Sequence, residues 1–568
     1  MGLGSALSVG RTALEAYQAT LQVAGQNIAN VATPGYTRSS ARLAAIPGQT
    51  FSFGQLGNGV RVNSIRRNIN EALQARLRTA VSDVAAASVE RDALNQIEGV
   101  LDPLGDRNLG ALISDFFGSL NDLQNTPDNT ATRGIVVNTA QSLIQRIRDT
   151  RGQLIAFRNQ INSEITTAVV RSDQVATEIA DLNQRIVVAE AGANGQASAL
   201  RDQRDLLLSE LADTFEIQTR EQPNGAVNVY IGNESIIQFG ESFGLKAVSE
   251  VDDDGLAQIV VRLKINNGPV STGAGRIAGL IKARDVHNSE QVNRLDQLAA
   301  GLIYEINRVH SGGQGLEGFS TITGETPVDD STVALNDPLA GLAFPPQTGT
   351  FFIDVRDDAS GEVVRTQINV NLDGIGTDTT LDSLAADITT NVPNVTATVL
   401  SNGRLEISAA SGFSFTFAED SSGALASLGI NTFFTGEDSL TIGVNDLVAN
   451  NVDYVAASST PFVGDGSNAT ALVALQDQAV ATLGGVSLNE HYATTMSDLA
   501  VASSSASSAN DAASVILDSL TVQRESVSGV NLDEEAVSLI TSQRAYEGAA
   551  RYMNVVNEML QTLMTLIR

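Results

Sequence analysis

Apolar positions recur every seven residues at both ends of this chain. Leu7, Leu14, Leu21 and Ile28 are spaced by seven, and Gly10, Tyr17, Ala24 and Val31 stand three residues after each, so small or apolar groups fill both seam positions of a heptad. Leu539, Tyr546, Met553, Leu560 and Ile567 repeat the spacing at the far end, with Ala549, Val556 and Leu563 behind three of them. Matching seams at opposite ends predict two helices that meet antiparallel after the chain has gone out and come back. Asn30 to Tyr36, with Pro34 and Gly35, ends the first helix by Thr33.

Between these ends the period changes several times. A 3.6-residue pattern runs from Ile69 to about Leu101, and a shorter one passes through Phe116, Phe117, Leu120 and Leu123. Residues 131 to about 191 hold no Pro and only Gly134 and Gly152, so one unbroken helix of about 90 Å is expected. Gly192 to Gly195 turns the chain into a helix over Ala199 to Phe215, whose Arg201, Asp202, Arg204, Asp205 and Glu210 read as a solvated face with helix ion pairs. Period 2 then appears at Val227, Val229 and Ile231, and at Ile259, Val261, Leu263 and Ile265 after the acidic turn Asp252 to Gly255. Helix resumes from about Gly275 to Val309. Extended pieces at 351–355, 366–372, 395–400, 404–408 and 413–417, with a helix from Leu381 to Ile388, predict a core of Phe, Val and Ile. From Asn468 helix returns and continues to Val527. The fold class that follows is α+β multidomain: a discontinuous terminal helical coiled coil, a long helical rod domain and β-rich outer domains. The boundaries are 1–40 plus 528–568 for the terminal region, 41–215 plus 275–310 plus 462–527 for the rod, 216–274 for a β-rich subdomain and 311–461 for an outer insertion.

Charge sharpens this picture. Residues 1–30 carry only Arg11 and Glu15, an unusual poverty for a surface helix, and small residues and amides suit contact on several sides. Such a helix implies an assembly, although one helix pair capping an ordinary bundle also fits the pattern. Ordering the ends costs about 1 to 2 kcal/mol of backbone entropy per residue, so both are expected to be disordered in the monomer and to fold when subunits stack. The net charge of −30 makes nucleic acid and anionic membrane poor partners. Residues 311–460 hold 20 acidic residues against 3 Arg, which turns that segment outward to water. There is no Cys, excluding disulfides and thiol chemistry. The start lacks the cationic and apolar regions of a cleavable signal, and no run approaches the ~20 apolar residues of a membrane span. A soluble protein is expected, one that stays inside or leaves by a route that reads no such signal.

Candidate chemistry is sparse. Gly313 to Gly318 matches GxGxxG but follows a helix and leads into none, so the dinucleotide context is missing. Asp252 to Gly255 has the acidic start of a calcium loop without its twelfth-position Glu. His287, His310 and His491 stand alone, with neither metal spacing nor a partner nucleophile in a GxSxG turn. No catalytic residue, cofactor or metal is expected, and the chain reads as a non-enzyme.

Residues 27–38, Asn27-Ile28-Ala29-Asn30-Val31-Ala32-Thr33-Pro34-Gly35-Tyr36-Thr37-Arg38, resemble the amino-terminal signature of bacterial flagellar rod, hook and hook-associated proteins. Ser528-Gly529-Val530-Asn531-Leu532-Asp533-Glu534-Glu535 is similar to their carboxy-terminal signature, with Gln543 and Tyr546 downstream. Gly57 to Val60, Asp202 to Asp205 and Gly464 to Ala469 narrow the resemblance to the hook-associated family of the hook-filament junction, FlgK. It covers about 1–310 and 460–568; the acidic insertion is only loosely analogous to variable outer domains, and a surface adhesin role through it is the alternative, as is another axial role such as hook protein or second junction protein. The resemblance implies a ring of subunits between hook and filament, with Leu7, Leu14, Leu21 and Ile28 packed on Leu539, Tyr546, Met553, Val556, Leu560 and Leu563. It further implies export through the flagellar type III apparatus, and as partners the chain itself, hook protein, the second junction protein and an export chaperone on the carboxy-terminal helix. The signature positions carried over are Asn27, Asn30, Pro34, Gly35, Tyr36, Gly529, Asn531, Leu532 and Glu535.

Overall fold

The computed structural model describes residues 3–51, 54–103, 105, 107–191, 196–252, 255–462 and 464–566. The fold is α+β and multidomain, with contacts that divide the chain into two compact units: residues 1–93, 159–284 and 504–568 form the first, and 94–158 and 285–503 the second. The unit boundaries fall inside helices, among them Glu71–Leu101, the 60-residue Thr130–Ala189 and Leu488–Ser528. The long helix is unbroken, as its freedom from proline dictates. The turn expected at 192–195, two residues of the acidic turn at 252–255, and Ile567 lie outside the described residues.

In the first unit the helices Leu3–Ala29 and Leu532–Leu566 lie side by side. A hairpin of Ser39–Ala45 with Val60–Arg67 packs on the first helix, where Gly59 presses against Val9 and Thr12. Four antiparallel strands follow in simple order, Ile217–Glu221, Val227–Ile231, Glu234–Gln238 and Glu241–Ser242, and then the hairpin Leu245–Val251 with Ala257–Leu263. Period 2 at Val227, Val229 and Ile231 points all three side chains into the core.

In the second unit Phe116, Phe117 and Leu120 of helix Leu109–Asn125 meet Leu143 and Ile147 of the long helix and Leu302 and Ile306 of helix Ser289–His310. Phe433 and Phe434 join this core from the acidic segment, their rings tilted on Phe116. The rest of that segment builds two three-stranded antiparallel sheets and the helix Leu381–Asn391, which Thr380 caps by bonding the Ser383 N–H. Phe351, Ile353, Val355, Phe415 and Phe417 fill its interior.

Candidate functional site

The two ends meet in a defined register. A Cβ on Gly10 would run into Met553 Sδ, and Asn27 bonds Glu535, so the helices are antiparallel. Leu7, Leu14, Leu21 and Ile28 are all half-buried, flanking a fully buried line of Gly10, Ala16, Val23, Ala24 and Asn27. On the last helix Val556 is buried, and Leu539, Met553 and Leu560 are half-buried. Tyr546 and Leu563 depart from the expected seam: they are 37% and 43% exposed. Leu563 lies past the end of its partner helix, because a register that sets Gly10 against Met553 leaves nothing of Leu3–Ala29 opposite it. Tyr546 sits on the seam's edge, since a straight 3.6-residue helix drifts from a strict seven-residue repeat.

The seam closes on a polar hub built from the signature residues. Asn27 is 1% exposed and Glu535 3%. Asn27 Nδ2 donates to Ser39 O at 2.9 Å and to Glu535 Oε2 at 3.1 Å, while its Oδ1 accepts from the Tyr36 hydroxyl at 2.8 Å and from Ser39 N–H at 3.1 Å. Both donors and both lone pairs of the amide are therefore used, a pattern that a carboxylate cannot reproduce. Glu535 is neutralised by Arg38, whose Nε donates to Oε1 at 2.7 Å; Arg38 Nη1 reaches Glu534 at 2.8 Å and its backbone N–H donates to Ser528 O. Burial pushes the Tyr36 hydroxyl up, and the Asp202 and Glu535 charges add to this. The loop can fold back from the first helix because Gly35 takes φ +76°. Asn30 holds the helix end by donating to Gln26 O and accepting from the Thr33 hydroxyl. Asn531 caps the last helix through Asp533 N–H at 2.9 Å. Pro34 and Leu532 are exposed, and Gly529 sits half-buried in the turn between helices.

Asp202 and Asp205 extend the hub. Arg67 Nη1 donates to Asp202 Oδ1 at 2.8 Å and to Asp205 Oδ2 at 2.6 Å, and Asp202 Oδ2 also accepts from Thr37 N–H. Behind them Arg201 grips Glu190 with two bonds, at 2.8 and 2.9 Å, and Arg204, 1% exposed, donates to Asn183 Oδ1 and Gly225 O. This corrects the reading of residues 201–205 as a solvated face. Spacing gives the charge pattern but not which partner covers it, and the strands at 217–231 cover Arg201 and Arg204. Arg38, Ser39 and Arg67 belong to the hub without having been singled out; the only signal was Arg38 closing the first signature.

The second unit explains the remaining motifs. Gly313 and Gly315 press against Asn468 and Asp453, and Gln314 pairs by backbone bonds with Ser458, so these glycines allow close chain approach. Asp465 gathers Ser458, Thr460 and Ser467 hydroxyls onto its carboxylate. His310 is a core histidine: Ala456 N–H donates to Nε2 at 2.9 Å, so Nδ1–H donates to Asn431 O at 2.8 Å and the ring is neutral. Burial pushes its pKa down to about 4, with the charge of Arg133 adding to the shift. Above pH ~6.5 neither folded nor unfolded state is protonated there. Between 6.5 and 4 only the unfolded chain takes the proton, so stability falls with acid, by about 3 kcal/mol in full. Urea unfolding of the second unit followed at pH 7.5 and 4.5 should show a loss that is smaller by most of that amount in His310→Gln; equal losses would contradict the burial argument.

Among the described residues no helix is long and apolar enough to cross a membrane. Residues 94–325 match the flagellar hook-associated protein FlgK helical domain, and residues 523–566 match the flagellar basal body rod FlgEFG protein C-terminal family. Flagellar hook-associated protein 1 of Escherichia coli is 25% identical over 585 residues, covering 99% of this chain and 100% of that protein. Its counterpart in Salmonella typhimurium is 27% identical over 583 residues, with the same coverage, 99% and 100%. In fold, the chain resembles the flagellar hook junction protein FlgK from Burkholderia pseudomallei, with a TM-score of 0.53 at 15% identity over 80% of this chain and 100% of that one.

Proposed function

We propose that this chain, a member of the FlgK family of flagellar hook-associated proteins and a structural component of the bacterial flagellum, forms the junction ring between hook and filament by polymerising through its terminal helices. One observation carries the reading. The last helix buries only one side against its partner, and Val537, Ile540, Val555 and Met559 on it remain exposed, which is the surface of a helix with further neighbours. The seam residues Leu7, Leu14, Leu21, Ile28, Leu539, Met553, Val556 and Leu560 then hold each subunit's two ends together while the outer faces meet adjacent subunits. On this reading the β-rich 216–274 and the acidic 311–461 regions face outward. Hook protein lies on one side and a second junction protein on the other. Export runs through the flagellar type III apparatus, with a chaperone on the last helix beforehand.

Deletion of the gene, with electron microscopy of the cells and a blot of the medium for flagellin, tests this. Bare hooks with flagellin shed into the medium are expected. Missing hooks would move the protein into hook or rod, and normal filaments would overturn the reading.

A further inference from the structure

The two three-stranded sheets of the acidic segment have four outer edges, and an open edge is a row of unpaired N–H and C=O groups ready for another chain. Three of the four are closed or cut short. Phe319 exchanges both backbone bonds with Phe415 and so occupies the edge of strand Phe413–Ala418. The edge of Val395–Val399 is capped by Thr389 Oγ1, which accepts from the Ala397 N–H at 2.9 Å. Strand Thr321–Thr323 is only three residues long.

The fourth edge strand, Val363–Val370, has eight residues, no Pro, no Lys and an unbroken register with Gly349–Asp357. Asp357 N–H donates to Glu362 O, and Thr350 turns its N–H and C=O the other way, to Ser421. Strict alternation then turns the N–H and C=O groups of Val363, Arg365, Gln367 and Asn369 outward, and among the described residues nothing bonds them. The side chains of these four are exposed, as is Val364 on the opposite face of the sheet. Thr366, Ile368 and Val370 share the face of Val364, paired with the buried core side of the neighbouring strand.

We propose that this edge pairs antiparallel with the same edge of a second copy of the chain, about a two-fold axis, so that the sheet runs continuously through both copies. The strand's own sequence argues for the occupant. Pairing must set outward-turned residues opposite one another and keep each face of the sheet continuous. Of the central registers that do so, charge selects one: Arg365 is the strand's single charged residue, and it faces itself or lies diagonal to itself unless Gln367 stands opposite Gln367. In that register Arg365 meets Asn369 of the second copy. On the other face Val364 meets Val370 and Thr366 meets Ile368, all β-branched cross-strand pairs. A two-fold contact closes at two copies, whereas a ring needs a head-to-tail one. The contact therefore joins free chains, uses no residue of the terminal helices and stands or falls apart from the ring reading. Two segments this acidic repel one another, so the pair tightens as salt rises.

The absence of cysteine allows a direct test on the full-length chain. Sedimentation should show a concentration-dependent dimer that strengthens with added NaCl. Gln367→Cys should form a disulfide-linked dimer under mild oxidation, and Asn369→Cys, which faces Arg365 and not itself, should not. Gln367→Lys and Gln367→Glu should each weaken self-association by about tenfold, since each sets like charges face to face. Mixing the two variants should restore the dimer, a rescue that a folding defect would not show. A wild-type chain that stays monomeric at every concentration and salt overturns the proposal. So does a dimer that both charge variants leave intact and that Gln367→Cys does not link, because it forms through another surface.

Discussion

Asn27→Asp is expected to release both ends of the chain from the hub, although it changes one NH2 group to an oxygen. The wild-type Nδ2 lies 3.1 Å from Glu535 Oε2 and 2.9 Å from Ser39 O. An oxygen at that place faces one carboxylate and one carbonyl with no proton to share, inside a site where Asn27 and Glu535 are both buried. Two carboxylates cannot both ionise at that separation. Either one binds a proton above its ordinary pKa or the helices part, at a cost of about 3–5 kcal/mol. Amide exchange of residues 3–29 and 532–566 should accelerate together at pH 7, because the hub joins both helices. The sign of the pH effect is set by the raised pKa. The folded variant holds a proton that the unfolded chain has released, so its stability is lost as pH rises and the defect shrinks towards pH ~4. Unchanged exchange at pH 7 would mean that the seam alone pins the ends.

The same hub marks the limit of what sequence makes visible. Heptad spacing locates both terminal helices, since the side chains that repeat are those the partner helix touches. Period 2 locates the strands Val227–Ile231 and Ala257–Leu263 for the same reason. The Asn27 to Glu535 bond joins residues 508 positions apart, and neither residue is apolar, so no periodicity carries it; it was legible only through the two signatures. Burial of Arg201 and Arg204 was not legible at all. Five charges in ten residues of an amphipathic helix have the pattern of a wetted face, and what inverts the reading is a strand pair, Ile217–Glu221 with Val227–Ile231, that follows the helix and covers it. Tyr546 and Leu563 show a smaller failure. The repeat fixes which residues face a seam, and only the register and the length of the partner fix where the seam ends.

Arg201→Met is expected to be among the most damaging single changes in the first unit, and it tests whether the layer behind the hub positions it. Glu190 has no exposed side-chain surface, and Arg201 gives it two of its bonds, the other shown here being the Ala197 N–H at 3.0 Å. Removing the guanidinium takes two charge-assisted bonds from a buried carboxylate, a loss of about 3–5 kcal/mol. The damage should travel, because Arg201 precedes Asp202 on the same helix and also bonds Glu221 on the adjoining strand. A helix freed at Arg201 moves the carboxylates that hold Arg67 and the Thr37 N–H. Adding Glu190→Gln to Arg201→Met should recover much of the stability, since most of the single-mutant cost lies in the buried charge that has lost its countercharge and not in the pair's net worth. Thermal unfolding of the four members of this cycle, with exchange at residues 36–39 as the local probe, measures both effects. If the double variant is as unstable as Arg201→Met alone, packing of the arginine stem carries the loss and not the buried charge.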